Sequence, residues 1–278
     1  MIRWILPLSC VFAVACAAHR TAPPVHRAQP RIVSLMPSLT EDLCALGAGR
    51  QLAGVSQFSQ DIPCARGVPQ VNNFASVDSE MVIRLRPDVV VGIDQQRLMT
   101  APLRAAGITT QFYADDRFAD LFTDIQGLGA VSGHRASAQK LIRALHARTA
   151  ALVAGERFKR RPSVFFLEQA VPIWTVGPGS YIGELIGLAG GRLATASLAQ
   201  PYAQYNAEAL VRLDPDVIVA TRDARLPGVL ESAPWRSLRA VREHHVYILQ
   251  NAALLVRPGP RYNEGLSWLI ERLRPLAR

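Results

Sequence analysis

The sequence Glu80-Met-Val-Ile-Arg-Leu-Arg-Pro-Asp-Val-Val-Val-Gly92 recurs 128 residues later as Glu208-Ala-Leu-Val-Arg-Leu-Asp-Pro-Asp-Val-Ile-Val-Ala220, and seven of the thirteen positions are identical. Each copy predicts a short helix that stops before a proline, because proline disfavours the helical conformation in the preceding residue. The β-branched runs that follow, 89–91 and 217–219, are short and apolar. Such runs are typical of buried strands in parallel sheets. The repeat therefore predicts two similar α/β units.

Strands and helices alternate around both copies. Ser38 and Glu41 have the spacing of a capping box for a helix that ends at Gly47 and Gly49. A second helix is predicted at 96–106. Strands are predicted at 31–36, 51–56, 109–113, 163–167 and 246–249. Apolar strands alternating with helices indicate parallel sheets covered on both faces, so the fold class is α/β with two doubly wound, Rossmann-like lobes.

Residues 134–159 predict one long helix, because apolar residues recur there at helical spacing and the next proline is Pro162. A helix of about 25 residues is roughly 37 Å long. It would connect a first lobe at 31–133 to a second at 161–278, with the connecting helix itself at 134–160. The alternative is a long helix that merely covers one lobe.

The first fifteen residues predict a signal peptide, since a positive start precedes an apolar stretch that is too short to span a bilayer. Ala13-Val14-Ala15-Cys16 resembles the lipobox of bacterial lipoproteins, in which the cysteine is acylated; simple cleavage is the alternative. Residues 16–30 are predicted to form a flexible tether. We therefore expect a periplasmic protein that is anchored to the membrane through a lipid.

The remaining cysteines are Cys44 and Cys64, and an oxidising compartment favours a disulfide between them. Two separate thiols are the alternative.

The net charge of +9 does not indicate a nucleic-acid partner, because the basic residues are scattered and the protein is predicted to be exported. A basic surface suits anionic lipid or an acidic ligand instead. Gly177-Pro-Gly179-Ser-Tyr-Ile-Gly183 departs from a dinucleotide fingerprint and predicts only a turn that enters a helix. Nucleophile elbows, Walker loops and zinc-ligand spacing are absent from the sequence, so we expect neither an enzyme, nor a cofactor, nor a metal site.

Several motifs in a fixed order carry a resemblance to a known family. They are Ser34-Leu-Met-Pro37-Ser-Leu-Thr-Glu41, Gly54-Val-Ser-Gln-Phe-Ser59, the first repeat copy, the long helix, Gly190-Gly191 and the second copy. In this order they resemble the helical-backbone (class III) substrate-binding proteins of ABC importers for cobalamin, ferric siderophores and haem. The resemblance implies a monomer with a shallow ligand cleft between its lobes, little hinge motion and delivery of the ligand to a permease dimer with its ATPase.

The resemblance also implies that Glu80 and Glu208 dock against arginines of the two permease subunits. Complementary charge would guide the approach of the two proteins and fix their relative position. The alternative is that each glutamate only interacts with the dipole of its helix. A sensory or structural lipoprotein without a transporter is a further alternative for the whole chain.

The positions matched to the ligand cleft are Pro37, Phe58, Phe74, Trp174, Tyr202 and Arg257. Their aromatic character most resembles the cobalamin-binding members, and flat rings suit a large macrocycle. Two residues depart from that pattern: Tyr202 replaces a tryptophan, and Phe58 lacks a hydroxyl group. A tyrosine could ligate ferric iron and Arg257 could pair with a carboxylate. The prediction is therefore cobalamin, with a ferric siderophore or haem as the alternative.

Overall fold

The structure is a computed structural model that describes residues 29–73, 75–154, 159–224, 226 and 228–277. The predicted signal peptide, Cys16 and Phe74 lie outside the described residues, as does nearly all of the predicted tether. No helix of the described part is both long enough and apolar enough to cross a membrane.

The N-terminal lobe contains a five-stranded parallel sheet with the order β3-β2-β1-β4-β5. Its strands are β1 (Ile32–Ser34), β2 (Leu52–Ser56), β3 (Gln70–Asn72), β4 (Val89–Ile93) and β5 (Thr110–Tyr113). Its helices are α1 (Pro37–Ala45), α2 (Ser79–Leu85), α3 (Ala101–Ala105) and α4 (Asp120–Val131). The strand order reverses between β1 and β4. Ligands of doubly wound sheets bind beyond the carboxyl ends of the strands at such a point.

The C-terminal lobe contains a parallel sheet with the order β12-β11-β6-β9 and a small antiparallel sheet with the order β10-β8-β7. Its strands are β6 (Ser163–Leu167), β7 (Gln169–Ala170), β8 (Ile173–Val176), β9 (Arg192–Leu193), β10 (Tyr202–Gln204), β11 (Val217–Thr221) and β12 (Val246–Leu249). Its helices are α6 (Tyr181–Leu188), α7 (Ala207–Leu213), α8 (Arg239–Arg242), α9 (Ala253–Val256) and α10 (Tyr262–Leu273). The two α/β lobes confirm the predicted fold class, whereas the antiparallel sheet was not predicted.

The long helix α5 (Arg135–Ala154) connects the lobes, as predicted, and its 20 described residues span about 30 Å. It contacts both lobes. His146 stacks on Phe122 of α4 with ring centroids 4.2 Å apart, and Thr149 Oγ1 donates to Asn263 Oδ1 of α10 at 3.0 Å. One buried apolar cluster continues from the first lobe through α5 into the second. The connecting helix is therefore part of a core that both lobes share.

Both repeat copies form the predicted helix and buried strand. Asp78 caps α2 by accepting from the backbone N–H of Met81, and Asn206 caps α7 in the same way. Both helices end in a left-handed residue directly before the proline, Arg86 with φ 48° and Asp214 with φ 39°. The strands β4 and β11 are buried along their whole length. In both copies the helix therefore ends before the proline and the following strand is buried, as predicted.

Two local predictions were wrong. Ser38 does not cap α1: the helix begins at Pro37, its N-cap is Met36, and Ser38 is buried inside its first turn. Proline suits the first helical position because its missing N–H would have no helical partner there. The helix predicted at 96–106 covers only Ala101–Ala105 after a 3-10 turn at Asp94–Gln96, since Pro102 is compatible only with the first turn of a helix.

Cys44 of α1 and Cys64 of the loop after β2 are placed as the predicted bridge requires. Their sulfur atoms are within bonding distance and their Cα atoms are 6.1 Å apart, inside the range of protein disulfides.

Candidate functional site

A cavity of about 560 Å³ opens between the two lobes, beyond the carboxyl ends of β2 and β12. The N-terminal lobe contributes Gln57, Phe58, Gln60 and Asp61, and the C-terminal lobe contributes residues from Gln250 to Arg257. Phe58 belongs to a 3-10 turn whose start is held by Ser56, the Oγ of which accepts from the Phe58 N–H. The short turn after β2 therefore carries the aromatic ring to the cavity.

A second cavity of about 310 Å³ is lined by Glu168, Gln169, Trp174 and Tyr202 of the C-terminal lobe. β8 and β10 pair antiparallel, with Tyr202 opposite Val176 and Gln204 opposite Trp174. Since side chains two residues apart share one face of a strand, Trp174 and Tyr202 are diagonal neighbours on the same face. Both side chains are half-buried. The unpredicted antiparallel sheet is the element that brings the two rings together.

Carboxyl groups of both lobes act on Tyr202 through their charge, and one of them, Glu168, lines the same cavity. Burial, followed by the charges of Asp115, Asp116 and Glu168, raises the pKa of the Tyr202 phenol, so the phenol remains protonated at neutral pH. Burial and the neighbouring Asp116 raise the pKa of Asp115 to about 6, although a hydrogen bond with Gln95 opposes the shift. Burial also raises the pKa of Glu168. The site therefore combines an aromatic pair with acids that sequence reasoning missed.

The positions of these acids in the sequence could have identified them as cleft residues. Asp115 and Asp116 follow β5 closely, and Glu168 directly follows β6, so all three lie at carboxyl ends of strands where a cleft is expected. The predicted cleft residues, by contrast, are one proline, four aromatic residues and one arginine: Pro37, Phe58, Phe74, Trp174, Tyr202 and Arg257.

Arg257 lines the larger cavity, yet its guanidinium is engaged in ion pairs across the cleft. It lies 3.2 Å from Asp61 and 3.8 Å from Glu41, both in the N-terminal lobe. Arg261 also pairs with Glu41 at 3.8 Å. Burial raises the pKa of Glu41, although the two arginines act in the opposite direction. Arg257 thus links the lobes beside the cavity rather than offering an unpaired cation to a ligand.

The structure therefore brings the predicted site residues together in two groups, Phe58 with Arg257 and Trp174 with Tyr202. Pro37 is half-buried at the start of α1 and lines neither cavity. Within the described residues, no group of three or more His, Cys, Asp or Glu side chains is arranged to hold a metal ion.

Glu80 and Glu208 lie in the first turns of α2 and α7, where both side chains are exposed. The Glu80 side chain is 90% exposed, and its carboxylate is 3.8 Å from Arg84 one turn later. At the N-terminus of a helix an acid is favourable to the dipole, so this placement agrees with the docking role and with the simpler alternative.

The sequence matches the family model described as "Periplasmic binding protein" over residues 32–253. A relative from Bacillus subtilis, named "Uncharacterized ABC transporter substrate-binding lipoprotein YvrC", is 30% identical over 88% of this chain and 80% of its own length. The family and the lipoprotein name of this relative indicate an extracytoplasmic protein.

Solved structures share the fold. The periplasmic vitamin B12 binding protein BtuF of Vibrio cholerae superposes with a TM-score of 0.77 at 27% identity, covering 89% of this chain and 97% of that one. The periplasmic heme-binding protein RhuT from Roseiflexus sp. RS-1 has a TM-score of 0.81 at 23% identity, covering 90% and 99%. Together with the family match, these likenesses establish that the chain belongs to the periplasmic binding protein family and is an ABC transporter substrate-binding protein.

Proposed function

We propose that this protein captures a corrinoid, cobalamin, between its two lobes and delivers it as a monomer to an ABC permease dimer with its ATPase. The observation that carries the proposal is the aromatic pair Trp174 and Tyr202, which shares a cavity with Glu168 and feels the charge of Asp115 and Asp116 from the other lobe. The likeness to a vitamin B12 binding protein over nearly the whole chain supports the same ligand.

The chemistry of a corrinoid fits this arrangement. Its broad ring can pack on aromatic side chains. Its peripheral amides carry N–H groups that can donate hydrogen bonds to carboxylates. Haem and many ferric chelates carry negative charges, which the carboxylates of Asp115, Asp116 and Glu168 would repel. Among the described residues that line the two cavities, the one base is Arg257, and it is paired with Asp61 and Glu41.

Tyr202 also argues against iron ligation. A tyrosine binds ferric iron as phenolate, and the buried, acid-rich surroundings of Tyr202 disfavour the anionic form. The alternative ligands, a ferric siderophore or haem, would therefore meet a neutral phenol and nearby negative charge.

Calorimetry of the purified mature protein with cyanocobalamin, haem and a ferric hydroxamate tests the ligand. We expect a sub-micromolar dissociation constant for cyanocobalamin and much weaker binding of the other two. Failure to bind cyanocobalamin below about 1 µM would overturn the proposal.

The Tyr202→Phe and Tyr202→Ala variants separate ring packing from metal ligation. Phenylalanine keeps the flat ring, so cyanocobalamin affinity should change less than about threefold, whereas alanine removes the packing surface and should weaken it at least about tenfold. If Tyr202→Phe abolishes haem or ferric hydroxamate binding instead, the ligand is an iron compound.

We propose that Glu80 and Glu208 are the permease contacts. Reversing both charges, Glu80→Arg with Glu208→Arg, should abolish cyanocobalamin uptake and leave ligand affinity intact, because both side chains are exposed and line neither cavity. Glu271→Arg is a matched control, since Glu271 is an exposed glutamate outside the repeat. Uptake that survives the double reversal would show that the docking roles of Glu80 and Glu208 are wrong.

We also propose that Cys16 is acylated and anchors the protein at the periplasmic side of the membrane. A Cys16→Ser variant should leave the membrane fraction without loss of ligand binding, and metabolic labelling with radioactive palmitate should mark the unchanged protein alone. Labelled Cys16→Ser would contradict the anchor.

A further inference from the structure

The two repeat copies expose more than their glutamates. Ile83 is 44% exposed and Val211 is 36% exposed, and they are equivalent residues, each three positions after the glutamate of its copy. Residues three apart on a helix lie on the same side, so each glutamate has an aliphatic side chain one turn away. Arg84 and Arg212 follow at equivalent positions and are exposed too.

Packing inside the lobes does not require this likeness. The buried positions of the two helices, Val82 and Leu210, already supply the contact with each lobe. Ile83 and Val211 point away from that contact, and a polar residue there would cost the fold little. Among the exposed positions of the repeat, the acid, the β-branched aliphatic residue and the first arginine are nevertheless alike in both lobes.

The frames that hold these side chains are alike as well. Asp78 and Asn206 cap the two helices at their N-termini. Arg86 and Asp214, both with left-handed backbone conformation, end them. Each helix therefore presents its exposed side at a fixed place on its lobe. Two similar surfaces on a two-lobed chain match a partner built from two like subunits, because each subunit can offer the same complementary residues.

We propose that Ile83 and Val211 are apolar anchors of the docking surface, and this inference rests on the proposed docking role of Glu80 and Glu208. The partner is a membrane permease of two like subunits, each presenting an apolar side chain next to a basic one. The glutamates steer and register the approach, whereas the aliphatic side chains lose water on contact and slow dissociation.

The test measures stimulation of ATP hydrolysis in proteoliposomes that contain the permease and ATPase purified from the same organism. The double variant Ile83→Ser with Val211→Ser should raise the protein concentration for half-maximal stimulation roughly 10- to 30-fold, as expected for two partly exposed aliphatic side chains. Ile248→Ser is the matched control, because Ile248 is 39% exposed on β12 outside the repeat, and it should behave like the unchanged protein. Thermal unfolding should confirm that all variants fold.

The charge-reversed Glu80→Arg, Glu208→Arg protein separates the two hypotheses. If it no longer stimulates the ATPase while the serine variant stays within twofold of the unchanged protein, the apolar anchors are wrong and the docking glutamates stand. If the charge-reversed protein also stimulates normally, the docking surface itself is misplaced. A serine variant weakened no more than Ile248→Ser likewise overturns the anchors.

Discussion

Asp88 and Asp216 occupy the same position of the repeat, and each accepts a hydrogen bond from the backbone N–H at the first strand of its lobe. Arg31 donates to Asp88 at 2.6 Å, and Ser163 donates to Asp216 at 2.7 Å. Asp88 is exposed, whereas the Asp216 side chain is 10% exposed. Asp216 also accepts from the Ser163 hydroxyl at 2.9 Å and pairs with two arginines.

The two arginines come from outside the repeat. Arg160 lies between the connecting helix and β6, and Arg239 begins α8, with its Nη2 atom 2.8 Å from the Asp216 carboxylate. Burial alone would raise the pKa of Asp216, but the hydrogen bonds from Ser163 and the two arginines hold it below its ordinary value. The same aspartate in both copies therefore forms the same hydrogen bond to the first strand of its lobe. The residues that surround the aspartate decide how many further partners stabilise it.

Replacing Asp88 and Asp216 separately should give the largest difference in stability between equivalent positions of the two lobes. Asp216→Ala leaves the buried Ser163 N–H without its acceptor and removes the carboxylate paired with Arg160 and Arg239, although Arg239 keeps its contacts with Asp214. We therefore expect a loss of about 3 to 4 kcal/mol in the free energy of unfolding. We take the lower end, because the Arg160 side chain is 58% exposed. Asp88→Ala should cost about 1 kcal/mol. Urea denaturation measures both, and equal losses would contradict the interpretation.

The pH dependence of Asp216 sharpens this prediction. A lowered pKa in the folded protein gives stability that is present above the ordinary carboxyl pKa of about 4 and is lost as the pH falls through the folded value. The difference between the unchanged protein and Asp216→Asn should therefore shrink in acid below about pH 4.

The predicted disulfide is a second difference between the lobes, since all four cysteines precede residue 65. Cys44→Ser with Cys64→Ser should lower the free energy of unfolding by about 3 kcal/mol, because a bridge across 20 residues restricts the unfolded chain. Dithiothreitol should destabilise the unchanged protein by a similar amount and leave the double variant unaffected. Two free thiols found by mass spectrometry in the oxidised protein would contradict the bridge.

Buried acids give the lobes opposite responses to pH. Burial, with the charge of Asp120 next, raises the pKa of Asp124 on α4 to about 8. The stability linked to protonated Asp124 is present below about pH 4 and is lost as the pH rises through about 8. Asp124→Asn should therefore increase the free energy of unfolding at pH 8 by on the order of 1 kcal/mol, with little effect at pH 4. A decrease at pH 8 would show that the carboxylate is stabilised by partners.

Removing the N-caps of α2 and α7 should give the smallest difference in stability between the two lobes. Asn206 accepts from two backbone N–H groups, of Glu208 at 2.8 Å and of Ala209 at 3.1 Å, whereas Asp78 accepts from Met81 at 2.9 Å. Asn206→Ala should cost about 1 kcal/mol and Asp78→Ala about half as much. Hydrogen exchange of the first turns of α7 and α2 measures each effect locally. Faster exchange in α2 than in α7 after these changes would reverse the ranking.

Much of the fold could be predicted because its signals are local. The repeat, the proline stops, the β-branched strands and the long helix α5 depend on periodicity and backbone preference within a few residues. Local reasoning failed at Ser38, where the acceptor pattern of a capping box was present but Pro37 had already started the helix. It also failed at the small antiparallel sheet, whose strands β7 and β10 have only two and three residues.

By itself, the sequence determined two α/β lobes, their connecting helix and the matched exposed glutamates, because these follow from short-range patterns repeated in one chain. Only the tertiary structure decided that Arg257 pairs with Asp61 and Glu41. It also decided that acids of the first lobe lie near Tyr202 of the second. Both contacts join residues far apart in sequence, and the pKa and pairing of a charged group depend on burial and neighbours that no local pattern specifies.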